Sequence, residues 1–315
     1  MRRKRQARAG FSLVELLVAI ALLGVLVFLL GSVFASVSSA WSTGHEKAGQ
    51  LLAGRTVLDT MTQRLSHATL STRTEFIFDE NAPHVPQSFG RESELCFQIG
   101  PPAALRAPLP ADTSGNAILF FAPTGETGLP EASPYRSLIN LCGFFVRFGP
   151  GPAGEEEVAR RERFRLWEVV LPAEDLPVAE GDDTEGDPWE TMNLRPSSRV
   201  IAENIPLLVL IPQGFPEEDG ETLEEILVYD STTRDHELPR RLRILFFTIS
   251  EDSARRVEAL GKTDSIVPSG LFRQLDDESI DADVQSLREH LDKFPGQIDY
   301  RLFDSVVPLP VSELR

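Results

Sequence analysis

One acidic residue, Glu15, lies inside the apolar segment near the start of the chain. An ionised carboxylate in hydrocarbon is costly and needs a partner. If the peptide bond after Gly10 is cut, Phe11 becomes a free amino terminus and Glu15 becomes the fifth residue of the mature chain. The Glu15 carboxylate can then neutralise the α-amine of a neighbouring subunit's Phe11 as the two helices pack side by side. A cut after Gly10 would therefore give a carboxylate at this spacing a role, as one half of a charge pair between subunits.

A basic stretch precedes this site, and a long uncharged stretch follows it. The cations of residues 1–10 are Arg2, Arg3, Lys4, Arg5 and Arg8, with no acidic residue among them. From Leu16 to Thr43 there are 28 residues without a charge. At about 1.5 Å per residue, a helix of this length exceeds the ~30 Å hydrocarbon core of a membrane. Positive charge at its start predicts that residues 1–10 stay in the cytoplasm and that the rest is exported.

A secretory signal peptide and an uncleaved signal anchor are the alternatives for this segment. A signal peptide has a shorter apolar region with a small-residue cleavage site after it, whereas the break point here comes before the apolar run. An uncleaved signal anchor would place Glu15 near the membrane interface by chance. Trp41, where the apolar run ends, suits an interface anchor or a contact with a neighbouring subunit.

The two cysteines, Cys96 and Cys142, lie in apolar, strand-like contexts. Neither belongs to a CxxC motif, so the pattern is not that of a zinc ribbon. In an oxidising compartment they permit a disulfide, which would close a loop of about 46 residues and contribute roughly 4 kcal/mol. The alternative is a pair of buried thiols that behave as small hydrophobic groups.

Other chemistry is weakly indicated. The acidic segment 180–190 can offer oxygens to Ca²⁺, but its spacing is not that of an EF-hand, so a solvated loop is expected. The five histidines form no HExxH motif, and no P-loop or Gly-x-Ser-x-Gly is present. We therefore expect no enzyme activity, no metal and no cofactor. Beyond residue 10 there are 26 basic against 48 acidic residues, a formal charge of −22, which disfavours nucleic acid as a partner.

The elements that carry these residues follow from the pattern. The first proline is Pro83, so one helix can run from about Phe11 to Leu70. Its second half is amphipathic and is expected to pack on a sheet of the same chain through an apolar stripe. That stripe comprises Leu51, Leu58, Met61, Leu65 and Ala68.

Beyond the helix, short apolar runs alternate with glycine and proline breaks, which predicts strands. The predicted strands are Leu95–Ile99, Ile118–Ala122, Leu141–Phe148, Phe164–Leu171, Ile205–Ile211, Ile226–Tyr229 and Arg241–Ile249. A loop is predicted from Pro101 to Gly115, and helices at Asp252–Leu260 and Asp283–Phe294. The expected fold class is α+β, with the long helix packed on an antiparallel sheet. The expected divisions are a leader at 1–10, a helix at 11–72 that crosses the membrane at about 16–43, and an exported domain at 73–315.

The segment from Gly10 to Ile20, GFSLVELLVAI, resembles the class III signal of type IV prepilins and type II secretion pseudopilins. The resemblance implies that a prepilin peptidase cuts after Gly10 and methylates Phe11, and that Glu15 acts in assembly with other pilin-like subunits. It also implies a single-pass inner-membrane protein with a periplasmic domain.

A narrower resemblance extends into the exported domain. Residues 55–61 and 238–244 are similar to segments of J-type minor pseudopilins and W-type minor pilins. Four segments, at 118–123, 140–146, 164–168 and 249–255, resemble Verru_Chthon cassette protein C. Glu15 distinguishes the chain from the K-type, which lacks that glutamate. The expected function is a minor pseudopilin of a type II secretion or type IV pilus-like filament or its tip. The alternatives are a surface minor pilin acting as an adhesin and an unprocessed membrane-anchored domain.

Overall fold

A computed structural model describes residues 13–79, 82–107, 109, 113–129, 137–151, 161–176, 194, 197–213, 228–261, 263–268, 270–272 and 277–310. The α-helices in these ranges are α1 (Leu13–Leu65), α2 (Glu251–Ala259) and α3 (Asp277–Asp292). The length of α1 follows from the absence of proline before Pro83. The chain forms two compact units, with the boundary between Gly49 and Gln50, inside α1. The second unit therefore begins with the last turns of α1, and we call the rest of that unit, from residue 66 onward, the head.

The strands belong to the head and pair antiparallel throughout. They are β1 (Arg73–Asp79), β2 (Ala82–Glu92), β3 (Phe97–Gly100), β4 (Thr113–Pro123), β5 (Ile139–Gly149), β6 (Arg163–Leu171), β7 (Ser198–Glu203), β8 (Leu207–Gln213), β9 (Tyr229–Asp230), β10 (Arg241–Ile249) and β11 (Tyr300–Pro308). Over the described residues they form a six-stranded sheet of order β7-β6-β5-β4-β3-β9, a three-stranded sheet of order β11-β10-β8, and the β1-β2 hairpin.

The six-stranded sheet is buried on both faces, which explains why its strands read as continuous apolar runs. In β4, Ile118 and Phe120 lie in the larger of two core clusters, while Leu119 and Phe121 lie in the smaller. Successive strand residues point to opposite faces of a sheet, so each cluster covers one face. The larger cluster also contains buried residues of α1, α3 and the three-stranded sheet.

A bulge in β4 brings the two larger sheets together. Three β4 residues separate the pairs that Ser114 and Ile118 make with β5, where the partner strand has one. Gly115 adopts a positive φ of 78°, and a Cβ built there would lie 2.3 Å from the carbonyl oxygen of Leu208. This close approach of backbones requires glycine.

The expected α+β class, with a long apolar N-terminal helix and antiparallel sheets, is confirmed. The predicted Arg241–Ile249 strand has the bounds of β10, and α2 lies within one residue of its prediction. The helix predicted at 283–294 instead begins at Asp277. The predicted Ile205–Ile211 strand begins two residues early, because Asn204 turns the chain with a φ of 61° between β7 and β8.

Several elements were not predicted. The hairpin β1-β2, strand β7 and strand β11 are absent from the prediction, and β4 already begins at Thr113, inside the predicted 101–115 loop. The predicted Ile226–Tyr229 strand is β9 at Tyr229–Asp230, and residues 226–227 lie outside the described ones. The strand β11 was missed because exposed Arg301, Asp304 and Val306 interrupt its apolar pattern, as is typical of an edge strand.

Candidate functional site

The predicted processing site lies at the very start of the chain. Gly10, Phe11 and the leader cations Arg2, Arg3, Lys4, Arg5 and Arg8 fall outside the described residues. Glu15 is described, in the first turn of α1. The structure therefore places the predicted assembly residue at the amino-terminal end of the described helix.

The described part of the first unit, residues 13–49, is an apolar helix without a core of its own. Every described side chain from Leu13 to Trp41 is exposed, with Trp41 at 80%. Among the described residues, α1 is the one helix long and apolar enough to cross a membrane. A continuous apolar surface of this size needs lipid or neighbouring helices to cover it.

The head half of α1 is amphipathic, but its stripe differs from the predicted one. The buried residues are Gln50, Gly54, Val57, Met61 and Leu65. The predicted stripe was right for Met61 and Leu65 and wrong for Leu51, which is exposed; Leu58 is half-buried. The reason is that the heptad pattern favoured leucines. At the start of this half, the helix instead contacts the head through the polar Gln50 and the small Gly54.

Two contacts hold the beginning of this half of the helix. The Phe303 ring of β11 packs on Gly54 so closely that a Cβ there would lie 2.0 Å from the Phe303 Cζ. Phe303 in turn stacks on Phe246, with ring centroids 5.0 Å apart. One turn earlier, the Gln50 side-chain amide donates to the Asp299 carbonyl at 3.0 Å.

The end of α1 is held by a buried charge network. Arg64 Nε donates to Glu168 Oε1 at 2.8 Å, and Arg64 Nη2 donates to Glu126 Oε1 at 2.7 Å. Glu168 is fully buried in β6, and its other oxygen accepts a hydrogen bond from Arg199 Nε in β7 at 2.6 Å. Burial opposes the charged form of Arg64, but the hydrogen bonds to Glu168 and Glu126 outweigh it and raise the Arg64 pKa.

This network was missed at the level of sequence, although one signal was present. Glu168 is a charged residue inside the apolar strand Phe164–Leu171, and a charge buried in a sheet needs a partner. Its partner Arg64 lies 104 positions away along the chain and lacks any local signal.

The structure does not bring the two cysteines together. Both are free and buried, Cys96 in the smaller core cluster and Cys142 in the larger. Across the sheet, Phe97 is opposite Phe120, and Phe120 is opposite Cys142. Cys96 is the residue before Phe97 and so faces the other side, about 10 Å away across two strand spacings. That separation exceeds the ~7 Å limit on the Cα–Cα distance of a disulfide. Of the two alternatives, a disulfide and a pair of buried thiols, the structure therefore favours the buried thiols.

Little else in the described ranges suggests ligand chemistry. No group of three His, Cys, Asp or Glu side chains that could hold a metal occurs within them. The acidic segment 180–190, considered for Ca²⁺, lies outside the described residues. Charged groups of the head form ion pairs between elements, such as that of Arg163 with Glu251.

A long apolar helix that continues into an α+β head of antiparallel strands is the arrangement of pilin-like proteins. Residues 5–31 match the family model described as the prokaryotic N-terminal methylation motif, which is the signal of type IV pilins. The motif indicates a pilin-like substrate of prepilin peptidase, anchored in a membrane through α1. No curated protein and no solved structure matches the chain.

Proposed function

We propose that this protein is a minor pseudopilin, a structural subunit of a short type II secretion or type IV pilus-like filament or of its tip complex. The observation that supports this most strongly is the methylation motif at residues 5–31, followed by a helix that is apolar and exposed to Trp41 and built into a folded head from Gln50. A head of this size on one helix suits a capping or initiating subunit.

In this proposal each amino-terminal residue has one role. The leader cations keep residues 1–10 in the cytoplasm, and prepilin peptidase cuts after Gly10 and methylates Phe11. Glu15 then pairs with the α-amine of a neighbouring subunit, because a carboxylate and an ammonium group are less costly in lipid when they lie together. The apolar face of α1 passes from lipid to the helices of neighbouring subunits as the filament forms.

The same proposal gives the protein a single-pass location in the inner membrane, with the head in the periplasm. Its role is structural rather than catalytic, with no cofactor, metal or nucleic acid among its partners. The resemblance to Verru_Chthon cassette protein C and to J-type and W-type subunits supports a minor rather than a major subunit.

The test uses Glu15→Ala and the matched variant Glu15→Asp in the full chain, expressed at native level with a tag after Leu309. Both variants are expected to be cleaved and to reach the membrane. After chemical crosslinking, Glu15→Ala should recover at least fivefold less of the other pilin-like subunits, and Glu15→Asp should be intermediate. Equal recovery from all three proteins would contradict the proposal. Recovery of a surface ligand in place of filament components would indicate an adhesin instead.

A further inference from the structure

The contact between α1 and the head is unusually mixed in its chemistry. Val57, Met61 and Leu65 are fully buried apolar side chains of this contact. These three residues keep one face of the helix on the sheet, but apolar burial is non-directional and sets the rotation only broadly. The fixed points lie at the ends, with Gln50 and Gly54 at one and Arg64 at the other.

Arg64 is the one of these fixed points that reaches several strands. Its two nitrogens bond two different carboxylates, of which Glu168 belongs to β6 and Glu126 follows β4. Glu168 is shared with Arg199 of β7. The Glu126 segment is itself fixed, because the fully buried Asn140 of β5 donates to the Glu126 carbonyl at 2.8 Å. Through this network the last turn of α1 is tied to four neighbouring strands.

The network is also balanced and sterically specific. Arg64 and Arg199 face Glu168 and Glu126, so the four charges cancel. A planar guanidinium offers its N–H groups in fixed directions, whereas an ammonium group is a point charge that can be satisfied from many angles. Burying charges contributes little net stability, and one attested use of buried charged groups is to select a single arrangement.

We infer that Arg64 is a positioning residue that fixes the rotation of residues 50–65 of α1 against the head. The apolar contacts hold the helix on the sheet, and the directional hydrogen bonds of the Arg64 guanidinium select one orientation. This inference deepens the proposed function and, for its consequence in assembly, rests on it. A subunit whose head has one orientation relative to α1 presents the same surface to every neighbour. A subunit whose head rotates relative to α1 does not.

The matched control lies on the same helix. Arg55 pairs with Asp59 at 3.6 Å, but both side chains are more than 70% exposed and the pair makes no bridge to a strand. Arg55→Ala therefore removes a cation and an ion pair from the same helix without touching the head. Arg64→Lys keeps the positive charge and removes the planar guanidinium with its directional hydrogen bonds.

The direct test measures distances between spin labels in the full chain in lipid nanodiscs. Labels are placed at Leu52 and Leu260, which are both exposed, in a background where the two buried cysteines are replaced by alanine. The unmutated protein and Arg55→Ala should each give one narrow distance peak, and Arg64→Lys a distribution at least twice as wide. An Arg64→Lys distribution as narrow as the parent's would overturn the inference.

A second variant controls for the possibility that Arg64→Lys unfolds the protein. Resistance to protease shows whether each variant is folded. Glu126 is 42% exposed, so Glu126→Gln should fold. The variant weakens one of the two hydrogen bonds that Arg64 donates to carboxylates, and it should therefore broaden the distance distribution to an intermediate width. In cells, Arg64→Lys should be processed normally but crosslink to neighbouring subunits at least fivefold less. If the unmutated protein itself fails to crosslink, the proposed function fails, while the distance measurement still decides the role of Arg64.

Discussion

The side chain of Asn116 pairs with both backbone groups of Leu210, so one side chain takes the place of a neighbouring strand. Asn116 Nδ2 donates to the Leu210 carbonyl at 2.9 Å, and the Leu210 N–H donates to Asn116 Oδ1 at 2.8 Å. Asn116 lies in the bulge of β4 and Leu210 in β8, so the two amide hydrogen bonds join the six-stranded sheet to the three-stranded one.

Replacement of Asn116 by alanine should therefore lower the free energy of unfolding by about 2–6 kcal/mol. The reason is that Leu210 is fully buried and both of its backbone groups would lose their partner, at roughly 1–3 kcal/mol for each unsatisfied group. Urea unfolding of the full chain in detergent measures this. Ser114→Ala, which removes a single bond to the Pro206 carbonyl, is the control and should cost about 1 kcal/mol. Equal effects of the two variants would contradict the account.

Gly54→Ala should destabilise the head, although alanine favours helix more than glycine does. The new Cβ would lie 2.0 Å from Phe303 Cζ, so the ring must shift, at a cost of about 1–3 kcal/mol. Gly49, five residues earlier on the same helix, has nothing within 4 Å of its Cβ position, so Gly49→Ala should leave stability unchanged or slightly raised. Thermal unfolding of both variants checks this, and a neutral Gly54→Ala would show that the helix does not pack on Phe303.

The cysteines should stay reduced and unreactive in the folded protein. Burial raises the pKa of Cys96 and of Cys142 to about 12, so very little thiolate is present at pH 8. Iodoacetamide at pH 8 should label both thiols at least a hundredfold more slowly in the native protein than in 8 M urea. Non-reducing gels of the protein isolated from cells should show the same mobility as the reduced sample. Detection of a Cys96–Cys142 peptide would contradict the strand register.

The ion pair between Arg163 and Glu251 should give the head an acid-sensitive component of stability. Side-chain hydrogen bonds from Arg163 hold the pKa of Glu251 at about 2, below its ordinary value of 4.5. A lowered pKa stabilises the fold above pH 4.5, and that contribution disappears as the pH falls towards 2. Glu251 is one-third exposed, so the contribution at pH 7 is about 1 kcal/mol after solvent screening.

The measurement compares unfolding of the parent and of Glu251→Gln between pH 7 and pH 3. The difference between them should be largest at pH 7 and should shrink with acid. The control Glu289→Gln removes an exposed pair with Lys293 and should follow the parent at every pH. A parent and a Glu251→Gln variant with parallel pH profiles would contradict this assignment.

The sequence predicted those features that depend on local pattern. The apolar run from Leu16 to Thr43 predicted the exposed helix, and continuous apolar runs such as Leu141–Phe148 predicted the strands that are buried on both faces. Edge strands could not be found in this way, because β11 shows side chains to solvent on part of both faces. The hairpin β1-β2 contains Pro83 and Pro86, which argue against a strand unless it is at an edge.

The contacts that matter for the head depend on residues far apart in sequence. Arg64 and Glu168 have nothing in their neighbourhood that identifies them as a pair. Glycine at position 54 is unfavourable for a helix by its own propensity, and the reason for it is the Phe303 ring, 249 positions away. The separation of the cysteines to opposite faces depends on one residue of register in β3, which apolar pattern alone does not fix.

The central claim, that the chain enters the pilin pathway, is tested most directly by mass spectrometry of its amino-terminal peptide, isolated from cell membranes. The account predicts a chain that begins at Phe11 with a methylated α-amine, and one that loses both features when prepilin peptidase is absent. A chain that begins at Met1 or Arg2 in cells with active peptidase would contradict it and leave a membrane-anchored domain without a filament role.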